Sequence, residues 1–235
     1  MSAMPRSPLL DALDWVDYAF QPAGAPPPED AAYGHQRHSA VVLTDIHNIP
    51  PKRCESDGVI ATGHRPVAVY TADCLPVLFA DSQQQQVAAV HAGLQGTLAG
   101  VLYRAVEQLC ARGATPQSLT VAIGPALAPC CFELDRQRLA DIAQLPGIPL
   151  PLRYYHQQPH NPQAQRPQAM ATREGIWFDL PHLAKQMLTD AGVPAGQIDQ
   201  IDQCTYCTTE SGSSYRFNTH HSSGYRSRFS WIRRR

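Results

Sequence analysis

Five short apolar runs constrain the fold of this chain most: Ala40 to Thr44, Val67 to Thr71, Leu75 to Ala80, Val87 to His91 and Leu119 to Ile123. Each is rich in Val, Ile or Leu, has strand length and is bounded by turn residues, so each reads as a β-strand. Between and after them the period changes. Following Gly93 and Gly96, Leu98, Val101, Leu102, Ala105 and Leu109 keep helical spacing up to Gly113, with Thr97 as the expected N-cap. A second helix is expected from Asp135 to Leu145 and a third from Asp179 to Ala191. Strands and helices mix without a clean βα repeat, which predicts an α/β (α+β) protein with mixed sheets, not a doubly wound one.

Composition sets outer limits. The chain has 235 residues, 43% of them hydrophobic and 17% charged, enough for a sizeable core and too little charge for disorder. We expect a single domain over 1–235, with a loop-rich N-terminal region 1–38 and polar, Pro-broken insertions at 21–30 and 157–168. A formal net charge of -1 gives no global attraction to nucleic acid or membrane. Asp11, Asp14 and Asp17 interrupt the apolar residues near the start, and no run approaches the ~20 apolar residues of a membrane span, so a cytoplasmic protein is expected. The six arginines between Arg216 and Arg235 read as a solvated or frayed basic tail.

Three residues carry the functional reading. His47, Cys74 and His91 sit at turns or strand ends and have the donor chemistry of an open zinc site, three ligands with a fourth position for water or substrate. They are too far apart along the chain for a finger motif, so they would have to converge through the fold. Cys74 lies in Thr71-Ala-Asp-Cys-Leu-Pro76, between two strands. His91 ends a strand and leads through Gly93 and Gly96 into a helix, where exposed amides could receive an anion. The other histidines, His38 among them, read as surface groups. Seven cysteines without small-scaffold spacing predict reduced thiols or metal ligands. Adjacent Cys130 and Cys131 are expected to be buried or redox-sensitive, and Cys204 and Cys207 to be reduced packing residues.

The stretches Thr71-Ala-Asp-Cys74, Val87 to His91 with Ala92-Gly93-x-x-Gly96, and Ile123-Gly-Pro with Pro129-Cys-Cys-Phe-Glu133 together resemble the YfiH family. Weaker echoes are Phe178-Asp-Leu, Cys204-Thr205 and Gly224-Tyr-Arg226. Members of that family have been named both for multicopper polyphenol oxidase (laccase-domain) activity and for purine nucleoside phosphorylase activity. The resemblance implies a four-layer sandwich of mixed sheets flanked by helices, with Zn2+, or Cu2+, on His47, Cys74 and His91. It also implies phosphorolysis of adenosine, inosine and methylthioadenosine, and hydrolytic deamination of adenosine. Cys74, His91 and Asp73 are the expected catalytic residues, Asp73 as proton carrier. Gly93, Gln95, Gly96 and Arg226 are the expected substrate-binding residues. The partners would be a small nucleoside and phosphate, with no nucleic acid and no membrane, in a monomer or homodimer.

The chain departs from that pattern in three places. Leu94 and Gln95 stand where the family has Trp and Arg; Asp45-Ile-His-Asn48 stands for Gln-Val-His-Gly; and His220 and His221 replace an Arg pair. Alternative readings are a cysteine hydrolase using Cys74 with His91 or His47, an editor of cell-wall precursors, a copper-dependent phenol oxidase, and a narrowed, non-catalytic relative.

Overall fold

The computed structural model describes residues 4–208 and 213–235, and within them the side chain of His47 is outside the described set. Among the described residues twelve strands follow in chain order: β1 Val16–Phe20, β2 Val42–Thr44, β3 Gly58–Ala61, β4 Val67–Thr71, β5 Leu75–Asp81, β6 Val87–Ala92, β7 Leu119–Ile123, β8 Glu133–Leu134, β9 Tyr154–Tyr155, β10 Ile176–Phe178, β11 Ile198–Gln200 and β12 Arg228–Arg234. The helices are α1 Pro8–Asp11, α2 Leu94–Leu98, α3 Val101–Cys110, α4 Arg136–Ala143, α5 Leu180–Asp190 and α6 Tyr215–His221.

Six strands form the central sheet in the order β11-β7-β5-β6-β3-β2, and two three-stranded sheets, β1-β12-β4 and β8-β10-β9, accompany it. The sheet is mixed: β5 pairs antiparallel with β6 and β7, whereas β2 runs parallel to β3 and β11 to β7. Its middle strands β5, β6 and β7 are mostly apolar and buried almost throughout because both faces are covered. Leu75, Val77 and Phe79 of β5 enter one core with α3 and α5, while Leu78 and Ala80 enter a second core with β1, β4 and β12. This is the expected α+β arrangement of mixed sheets and helices.

All five sequence-derived strands are present, as β2, β4, β5, β6 and β7. The strands that escaped the sequence are short or interrupted. β1 carries Asp17, which pairs with Arg233 at 2.8 Å, and β3 begins at a glycine. The C-terminal arginines do not form a frayed tail, because β12 lies between β1 and β4 and buries Arg228, Ser230 and Ile232. The N-terminal region contributes α1 and β1.

Thr97 is not an N-cap. Helix α2 already starts at Leu94, and the chain breaks at Gly100, whose φ of 87° is readily accessible only to glycine, before α3 begins. Asp135 and Asp179 do cap α4 and α5, accepting from the backbone N–H of Gln137 and His182.

Candidate metal centre

The strand register explains how residues distant in sequence meet. β5 and β6 form a hairpin in which Leu75 lies opposite Ala92, so Cys74, one residue before β5, arrives beside Gly93. β3 runs antiparallel to β6 with Gly58 opposite Val90, which puts Asp57 next to His91. β2 runs parallel to β3 with Val42 opposite Gly58, so the residues just before β2 reach the same end of the sheet. Those residues include His38.

His38, Cys74 and His91 offer ligand atoms that all lie within 4.8 Å of one another. The His38 Nε2 to Cys74 Sγ distance is 3.8 Å. Two ligands on a tetrahedral zinc ion stand roughly 3.5 Å apart, from bond lengths of about 2.0 and 2.3 Å. The His38 and His91 rings meet edge to face, 4.8 Å between centroids. Burial is graded, with His91 buried, Cys74 half-buried and His38 exposed, so one side of the cluster opens to solvent.

Asp57 organises the cluster. It is fully buried, and its Oδ1 lies 2.7 Å from His91 Nδ1, which leaves Nε2 of His91 as the ligating nitrogen. The same carboxylate accepts the backbone N–H of Arg37, His38 and Ser39 at 3.0, 2.9 and 2.8 Å, and the Ser39 hydroxyl at 2.7 Å. Burial alone would raise the Asp57 carboxyl, but hydrogen bonds from His91, Ser39 and Arg37 hold it well below the usual carboxylate range. A carboxylate behind a histidine fixes the ring and raises its basicity as a ligand. His38 has a φ of 59°, an uncommon left-handed backbone for a side chain of its size, and its N–H bond to Asp57 helps to hold it.

The two glycines after His91 have a steric role. A Cβ at Gly93 would lie 2.7 Å from Cys74 Sγ and 2.8 Å from His38 Cδ2, and one at Gly96 would lie 3.1 Å from the Ser39 carbonyl oxygen. Only bare backbone lets the start of α2 pack against the ligands. Gln95 projects from α2 as an exposed residue.

Two expected catalytic and binding residues have other employment. Asp73 accepts the Thr205 hydroxyl at 2.6 Å and the Arg216 backbone N–H at 2.6 Å, so its carboxylate holds those two residues instead of standing free for proton transfer. Burial raises the Asp73 carboxyl, against the bonds from Thr205 and Arg216. The Arg226 guanidinium lies over Gly24 in the Pro-rich loop.

Cys74 itself is an unactivated thiol. Burial, with smaller contributions from Asp73 and Asp57, pushes it up to about 12, so it stays protonated at neutral pH unless a cation takes the proton's place. That disfavours a free thiolate nucleophile, and a metal bound there would have to displace the proton. The donor set fits a borderline divalent ion: two imidazoles, one potential thiolate, a buried carboxylate behind one imidazole and an open side.

The sequence reading placed the first ligand at His47. The side chain of His47 lies outside the described residues, but its backbone sits in a 3-10 turn, Ile46–Asn48, beyond the far end of β2. Asp45 there bonds to Ile60 and Thr62, near the pairing of Ala61 with Val87. Val87 is four positions from His91, about 13 Å along a strand. His38, dismissed as a surface group, occupies the ligand position. The sequence held a signal: Gln36-Arg-His38 keeps the Gln-x-His spacing that His47 lacks. Gln36 is bonded to both the carbonyl and the amide of Tyr70, at 2.8 and 2.9 Å, which pins the segment that carries His38. Asp57 was missed as well, because a lone Asp before an unrecognised four-residue strand carries no pattern.

The family model for multi-copper polyphenol oxidoreductase laccase matches residues 18–233. The chain is 32% identical over 167 residues to the purine nucleoside phosphorylase YfiH of Shigella flexneri, covering 70% of this chain and 58% of that protein. It is 31% identical over 150 residues to the adenosine deaminase RL5 of an unknown prokaryotic organism, covering 64% and 52%. The chain thus spans little more than half the length of these two relatives. Its fold resembles the crystal structure of YlmD from Geobacillus stearothermophilus, with a TM-score of 0.71 and 24% identity over 89% of this chain and 75% of that one.

Proposed function

This chain belongs to the multi-copper polyphenol oxidoreductase laccase family, the YfiH family, and we propose that it is a metal-dependent purine nucleoside enzyme. The observation that carries the reading is the convergence of His38, Cys74 and His91 at one open sheet end with Asp57 behind them. Two relatives are named for nucleoside reactions, one a phosphorylase and one a deaminase. Zinc held by these three groups would supply Lewis acidity at a fourth position facing the substrate. Copper suits the same donors. Among the described residues the other group able to hold a metal is four buried cysteines, so the spaced histidine pairs of a multicopper oxidase find no counterpart there.

The residues would divide the work as follows. Asp57 holds His91 in one tautomer, and Gly93 keeps the space between Cys74 and His38 clear of side-chain atoms. The exposed face at His38 and Gln95 admits the nucleoside. In phosphorolysis the C1′–N9 bond breaks as a C1′–O bond to phosphate forms, giving ribose 1-phosphate and free base. In deamination the C6–N bond breaks as a C6–O bond forms, consuming water and releasing ammonia.

Elemental analysis of the purified protein, followed by adenosine with and without phosphate, tests the reading. Free adenine that requires phosphate marks phosphorolysis; inosine formed without phosphate marks deamination. Equal turnover by wild type and by Cys74→Ala protein would overturn the proposal.

A further inference from the structure

Cys130, Cys131, Cys204 and Cys207 are all buried, and their sulfurs lie within 4.8 Å of one another. The sequence offered no reason to join them, since adjacent cysteines seldom point at the same centre and a lone C-x-x-C lacks its second pair. The fold supplies that pair. The loop after β7 and the turn at 204–208 are held together by a bridge between Ala126 and Cys204, so Cys130-Cys131 and Cys204-x-x-Cys207 face each other.

We propose that these four cysteines form a second, structural metal site, a tetrathiolate that takes zinc and staples the two loops together. Around a tetrahedral zinc with bonds of about 2.3 Å, sulfurs stand about 3.8 Å apart. Here Cys130 and Cys207 are 3.9 Å apart and Cys131 and Cys207 are 3.1 Å apart. A closed set of four protein ligands, with no open position, is the structural type of zinc site.

The surroundings suit a site of net negative charge. Asn161 Nδ2 points at Cys130 Sγ from 3.7 Å. The backbone N–H groups of Gln165 and Arg166 both donate to the Cys207 carbonyl, at 2.6 and 3.1 Å, which brings the Arg166 guanidinium into electrostatic range of Cys204 and Cys207.

The staple would also support the candidate metal centre. Thr205 lies inside the C-x-x-C turn and donates to Asp73, the neighbour of Cys74, while Leu127, three residues before Cys130, donates its N–H to the Asp73 carbonyl. Fixing the cysteine loops therefore fixes the wall of the first centre.

The Cys74→Ala protein, which loses a ligand of the first centre only, provides the test. It should retain one zinc per chain by elemental analysis, and X-ray absorption should find four sulfur neighbours around that ion. Adding Cys204→Ser and Cys207→Ser to it should abolish the remaining zinc. Cys74→Ala protein that is metal-free after purification with added zinc, a shell containing nitrogen, or an intact mass short of two hydrogens, which would mark a disulfide, overturns the proposal. The spectrum of Cys74→Ala protein decides the matter even where the serine variants fail to fold.

Discussion

Asp57 and His91 form a buried pair, carboxylate Oδ1 to imidazole Nδ1 at 2.7 Å, and the same carboxylate receives the backbone that presents His38. One acidic side chain thus sets both imidazoles, the first through its ring and the second through its main chain. Replacing it with Asn keeps the shape but removes the negative charge behind the ring. Asp57→Asn should weaken zinc binding about 10- to 100-fold, the usual effect of losing such a partner, measured by competition with a chelator.

Stability in acid should report on the same carboxylate. Its folded-state pKa is depressed, so its contribution is present above the unfolded value near 4 and is lost as pH falls through and below it. Denaturant unfolding of the chelator-treated protein should show stability dropping from about pH 4 downward in wild type, and a shallower fall in Asp57→Asn. Parallel curves would assign the acid sensitivity to other groups.

Gly93→Ala should damage the centre more than the fold. The added methyl would meet Cys74 Sγ at 2.7 Å and His38 Cδ2 at 2.8 Å, and one of the two must shift. A displacement approaching 1 Å at a reacting centre costs on the order of 100-fold in rate. Nucleoside turnover and far-UV circular dichroism, taken together, distinguish a displaced ligand from a misfolded chain.

The two histidines flanking β2 should separate cleanly. His38→Ala should lose metal at the first centre and nearly all nucleoside activity, whereas His47→Ala should retain both, because His47 follows the opposite end of that strand. Metal content and initial rates of the two variants, measured side by side, check the assignment. Activity lost in His47→Ala and kept in His38→Ala would restore the ligand set expected from the sequence.

What could be read from the chain were its long, strongly apolar strands and the donors attached to them. Cys74 precedes β5 and His91 lies near the end of β6, so the two ends of one hairpin meet by register, and this local antiparallel pairing was legible as two apolar runs around a polar turn. The sequence by itself determined those strands, the capped helices α4 and α5, and the pairing of one thiol with one imidazole. Only the tertiary structure decided the third ligand, the carboxylate behind it and the gathering of four cysteines. Each of these depends on which end of a strand, or which loop, the sheet places beside another. Residue type and spacing carry local geometry, but long-range register is set by burying both faces of the central sheet at once, and that condition is met by the whole chain rather than by any segment of it.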